Sequence, residues 1–175
     1  SAPAPQTREI LEAFPDFAQP LANIAMHSCW AGMYRFADKT TNQWAGAFLH
    51  DSILSWASRN NTKPGRDADD ECLVLHATAN WTSEHLESEP EDVAQTMLHE
   101  FWRVSGIDVQ QPVSSTAHRW RYAITPSTGE SGQAADGCFF DAQHRIVACG
   151  DWAHGARVEG AFLSGAAAAG RLLGT

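Results

Sequence analysis

Two small sets of residues in this 175-residue sequence have the types and spacing to do chemistry. The first lies in "IVACGDWAHGARVEGAFLSGAAAAG", residues 146–170. Gly150 and Asp151 follow a short apolar run. Arg157, Val158, Glu159, Gly160 and Ala161 then open a segment made mostly of Gly, Ala and Ser. A carboxylate just past a strand end occupies the crevice position where α/β folds bind ligands, and it can accept hydrogen bonds from sugar-like hydroxyls. The first turn of a helix leaves N–H groups unpaired at the positive end of the macrodipole, which suits an anion or an electron-rich carbonyl. Small residues also let another backbone or a flat ring come very close. Gly160, Ser164 and Ala168 recur every fourth position on one face, and Ala161, Gly165 and Ala169 make the next row. The alternative is packing alone, with Asp151 as a helix cap.

The second set is His118, Trp120 and Tyr122. Alternation places these three on one face of a strand, with Arg119 and Arg121 on the other. A flat indole at Trp120 can stack on a planar substrate; the alternative is an ordinary half-buried strand with a Trp in the core. Other chemistries find no support. His99–Glu100 in "LHEFW" lacks a second His four residues beyond the first, so no zinc-binding HExxH helix exists and no metal is expected. No G-x-S-x-G nucleophile turn occurs. The net charge of −9, without a long basic run, argues against nucleic acid.

Several elements must position these groups. A short helical pattern before Pro15 leads to a long alternating strand over 24–36. A polar turn over 38–43 precedes two short strands within 44–61. A charged loop over 62–71 precedes a further strand over 72–80. Pro90 opens the best helix of the middle region, carrying Val93, Met97, Phe101 and Val104, and Gly106 ends it. A strand over 116–124, a loop over 125–137 and two strands around a turn at 141–144 follow. The final helix spans 159–173. Strands mostly follow strands, so the fold class is α+β with a largely antiparallel sheet.

At 175 residues the chain can bury one ordinary core, and no apolar run is long enough to cross a bilayer. The four cysteines form no CxxC pair, which favours free thiols in a reducing compartment. With no signal peptide visible, a cytoplasmic location is expected.

The residues "GDW…G.RVEGAFLSG…AA" resemble the C-terminal flavin-contacting motif of FAD-dependent amine-oxidase-type enzymes, closest to the renalase-like branch. "AHRWRYA" is similar to the strand that precedes this motif in bacterial renalase-like proteins. "ANWTSEHLE" and its following helix are similar to their substrate-domain segment, and "SAPAPQ" to the exit from the flavin domain. The resemblance implies FAD, with Gly150 and Asp151 at the ribityl chain and Arg157, Val158, Glu159, Gly160 and Ala161 beside the isoalloxazine. It implies a substrate pocket lined by His118, Trp120 and Tyr122. Residues 1–115 would be substrate-domain-like, and 116–175 would bring a strand and the C-terminal strand–loop–helix of the FAD domain. The pyrophosphate-binding GxGxxG is absent, so the chain matches the C-terminal portion only. The implied activity is oxidation of an amine or a dihydronicotinamide by hydride transfer to FAD, with O2 as acceptor. The implied partners are a small-molecule substrate and the missing N-terminal FAD-binding portion, with self-association through an exposed docking face. The alternative is a free-standing binding module that has lost the nucleotide half and has no catalysis.

Overall fold

The computed structural model describes residues 2–40, 43–66, 69–126 and 134–174. Parts of the expected turn at 38–43 and of the loops at 62–71 and 125–137 lie outside the described residues. In chain order the elements are α1 (Ala4–Ile10), α2 (Pro15–Ala18), a 3-10 segment (Gln19–Asn23), β1 (His27–Phe36), β2 (Gly46–Phe48), β3 (Leu54–Arg59), a 3-10 turn (Asn60–Thr62), β4 (Glu71–Ala77), α3 (Ala79–Glu84), α4 (Pro90–Ser105), β5 (Ser114–Ile124), β6 (Phe139–Asp141), β7 (Ile146–Ala148), α5 (Asp151–His154) and α6 (Val158–Leu173). The class is α+β, as expected.

The chain forms two compact units, Ser1–His27 with Tyr122–Thr175, and Ser28–Arg121. This differs from a single cut at 115/116. The N-terminal segment clusters with the C-terminal one because Ala4, Phe17, Leu21 and Ile24 share one apolar cluster with Ala148, Trp152 and Ala153. The indole of Trp152 also donates to the Ala2 carbonyl at 2.8 Å.

In the second unit the sheet order is β2-β3-β4-β1-β5. β1 and β4 are antiparallel, with Met33 opposite Val74, and β3 and β4 are antiparallel, with Ala57 opposite Leu75. Strand alternation is strict in β4, where every second residue from Glu71 to Ala77 is buried. Leu73, Leu75, Trp30, Tyr34 and Phe36 face α4, which returns Val93, Met97, Phe101 and Trp102 to the same core. Pro90 sits in the first turn of α4, Glu91 and Asp92 complement its dipole, and Gly106 ends it with φ 64°, a conformation glycine adopts without a Cβ penalty. β1 starts at His27 rather than 24 because Pro20 and its neighbours form the 3-10 segment, which delivers Ile24 to the other unit's core. β4 ends at Ala77 rather than 80. There the Thr78 hydroxyl accepts from the Trp81 N–H and caps α3.

Glu100 on α4 is bridged by the Arg103 guanidinium at 2.6 Å and by the Ser52 hydroxyl at 2.6 Å. The Arg103 hydrogen bond, then those of Ser52 and the Ile53 backbone, hold its carboxyl down to about 2. A folded pKa below the unfolded value near ~4.3 stabilises the fold fully above that range and loses the contribution as pH falls. Glu100→Gln is therefore expected to lower the melting temperature at neutral pH. The gap from the parent should shrink below pH ~4 and nearly close near the folded-state value of about 2. Thermal melts of both proteins across that range check this; a gap independent of pH would contradict it.

Candidate functional site

The C-terminal unit builds its site around one face of α6. Gly160, Ser164 and Ala168 are the buried residues of this helix. Gly160 and Ser164 meet this unit's own loops. A Cβ on Gly160 would lie 2.0 Å from the Gly155 carbonyl oxygen, so only glycine permits the approach of the 155 turn. The Ser164 hydroxyl donates to the Gly137 carbonyl at 2.6 Å and accepts from the Gly150 N–H at 3.0 Å. It thereby joins α6, the entry to β6 and the exit from β7. Sequence reasoning placed Ser164 on the stripe without seeing this bridge. A lone hydroxyl on an otherwise Gly/Ala face was the available signal.

Within the expected strand–loop–helix, Asp151 opens a short helix, α5, before α6. The Asp151 carbonyl accepts from Gly155 N–H at 2.7 Å and closes this single turn. A Cβ at Gly150 would lie 2.4 Å from the Trp152 indole nitrogen, so the buried Trp152 requires glycine there. Gly150 spends its N–H on Ser164.

Five of the candidates line two clefts. Arg157, Glu159 and Gly160 line a cleft of about 330 Å³ with His154, Gly155 and Leu163. Arg157 is the N-cap of α6 and offers no side-chain hydrogen bond to the helix, so no cap competes for the first-turn amides. Glu159 lies in that turn, and Ala161 N–H is the first to return to the helix, to Arg157 at 3.0 Å. Asp151 and Tyr122 line a separate cleft of about 190 Å³ with Ala2, Pro3, Met26 and Trp152. Val158 and Ala161 point outward; Val158 is 90% exposed, and with Phe162 and Leu173 it gives α6 an uncovered apolar face.

In the other unit β5 presents Ala117 to the α4 side of the sheet, and alternation puts His118 and Trp120 on the opposite, open face. Their rings meet edge to face at 4.5 Å, and Trp120 is 55% exposed. On this open face Met33, Arg35, Cys72, Val74, Ser114 and Thr116 line a hollow of about 380 Å³. Desolvation, then the charge of Lys63, push the His76 imidazole below its usual range. The opposite face of β5 is fixed by charge. Arg119 and Arg121 each reach Glu87 at 2.8 Å, and the Arg119 guanidinium lies 5.6 Å from the centre of the Trp30 ring.

The profile of the flavin-containing amine oxidoreductase family matches residues 18–173, and the chain belongs to that family. Its fold is similar to that of a solved structure described as "Putative protoporphyrinogen oxidase from Exiguobacterium sp. 255-15". The TM-score is 0.60 at 15% identity, over 73% of this chain and 29% of that one. The chain thus spans less than a third of that relative's length. No helix among the described residues is long and apolar enough to cross a membrane.

Proposed function

We propose that this chain is the substrate-domain and C-terminal part of an FAD-dependent oxidoreductase of the renalase-like branch. Its activity would be oxidation of an amine or a dihydronicotinamide by hydride transfer, with O2 as the final acceptor. The observation that carries the reading is the uncapped start of α6 opening on the cleft of Arg157, Glu159 and Gly160. That donor set fits the electron-rich pyrimidine edge of a flavin: first-turn amides at the positive end of the α6 dipole, with no side-chain cap on them.

When bound, the flavin supplies the two-electron acceptor. The residues of this chain supply position and charge. The α6 amides and dipole stabilise negative charge that builds at the edge they face, and they do so without reorganising. Asp151, in its cleft with Tyr122, accepts hydrogen bonds from ribityl hydroxyls. The open sheet face carrying His118 and Trp120 gives a planar substrate an aromatic wall. The reading assigns no general base.

The pyrophosphate would be held by an N-terminal nucleotide-binding portion outside these 175 residues. That portion would cover Val158, Phe162 and Leu173; in its absence this face drives self-association. Four unpaired cysteines accord with a cytoplasmic location.

Asp151→Ala in the complete polypeptide is expected to weaken flavin retention by roughly ten- to a hundredfold, the loss of a charge-assisted hydrogen bond of ~1.5–3 kcal/mol. Flavin released on titrated dilution reads this out. Unchanged content and spectrum would remove Asp151 from the site.

A further inference from the structure

We infer that Cys138 and Cys149 form a cross-strand thiol pair that hydrogen peroxide closes to a disulfide, fastening the segment that carries Asp151. The inference stands independently of the flavin reading.

The two cysteines are held opposite each other from both sides. The β6–β7 ladder ends at Phe139 opposite Ala148, so the next step outward sets Cys138 against Cys149. One residue further, Gly137 and Gly150 are bound to the same Ser164 hydroxyl, at 2.6 and 3.0 Å. The chains therefore stay tethered beyond the ladder, with the Ser164 oxygen between them at the clamp. Opposed residues of an antiparallel pair have Cα atoms ~4.5–5.5 Å apart with side chains on one face. That lies inside the ~4.4–6.8 Å that a disulfide spans. The other two cysteines lack this relation. Cys72 on β4 faces Arg35 on β1, six residues from Cys29.

The chemistry divides between the partners by exposure. Cys149 is half-buried and Cys138 is 5% exposed. The Cys149 thiolate attacks peroxide and becomes a sulfenic acid; the departing hydroxide takes up the proton that thiol released and leaves as water. The Cys138 thiolate then attacks that sulfur, and the hydroxide expelled as the S–S bond forms takes up the Cys138 proton as a second water. Two thiols and one peroxide yield one disulfide and two waters. Burial pushes the Cys138 thiol up; Arg171 opposes this, and charge on Cys149 and Asp136 adds to it. Cys138 is thus the resolving partner rather than the first to react.

The test treats the folded chain with hydrogen peroxide, then alkylates with iodoacetamide under denaturing conditions and maps peptides by mass. The expected result is joint loss of alkylation at Cys138 and Cys149, with a linked peptide that dithiothreitol releases, while Cys29 and Cys72 stay alkylated. In Cys149→Ser, Cys138 should remain alkylated after peroxide. In Cys138→Ser, Cys149 should carry sulfenic acid trapped by dimedone. Full alkylation of both cysteines in the parent after peroxide, or a link from either to Cys29 or Cys72, would overturn the inference.

Discussion

Gly160→Ala is expected to destabilise the C-terminal unit by about 1–3 kcal/mol, the usual cost of forcing a methyl into a filled site. The added Cβ meets the backbone oxygen of Gly155 at 2.0 Å, and a backbone atom cannot swing aside as a long side chain can. Either the 155 turn or the first turn of α6 must move. Both line the cleft proposed for the flavin edge, so the same variant should lower flavin retention in the complete polypeptide. Gly165 on the same helix provides the control. Nothing lies within 4 Å of a Cβ built there. Gly165→Ala should stabilise by ~0.5–1 kcal/mol, because alanine loses less conformational entropy inside a helix. Urea unfolding of the two variants should thus move the midpoint in opposite directions. Equal shifts of one sign would mean that Gly160 is propensity-limited and not contact-limited.

Arg59→Ala should cost more, about 3–5 kcal/mol in the sheet unit. Arg59 reaches Glu71 with two nitrogens, at 2.7 and 2.8 Å, and the Glu71 side chain is fully buried. Contact with that carboxylate holds the Arg59 guanidinium above its ordinary range. Removing it leaves the fully buried Glu71 carboxylate without its bidentate partner. The double replacement Arg59→Met with Glu71→Leu should recover most of the loss, since it removes the charge along with its partner. Denaturant midpoints of the single and double variants decide. A double variant as unstable as Arg59→Ala would place the cost in lost packing instead.

Much of this fold was legible because its signals are local. Pro90, the spacing of Val93, Met97 and Phe101, and Gly106 together bound α4 within one turn. The strand expected over 72–80 overlaps β4 at Glu71–Ala77, and alternation within 117–123 separates Trp120 from Arg119. Spacing puts Gly160, Ser164 and Ala168 on one face and Ala161, Gly165 and Ala169 on the next; the first row is the buried one in α6. What periodicity could not reveal is how distant segments meet. Trp152 anchors to Ala2 across 150 positions, and neither residue announces the other. That contact, with the apolar cluster around it, moves the N-terminal 27 residues into the C-terminal unit. The candidate site divided for the same reason. Asp151 and Glu159 are eight positions apart and looked like parts of one loop. The single-turn α5 intervenes and sets them at different clefts. Family resemblance supplied FAD and the roles proposed for these residues; spacing alone offered only a carboxylate and an open helix end.

The most direct measurement is flavin content of the complete polypeptide that contains this chain, purified without added cofactor and compared with Gly160→Ala. The account predicts a yellow protein holding close to one FAD per chain, with less in the variant. A parent that is colourless and stays so after incubation with FAD would contradict it.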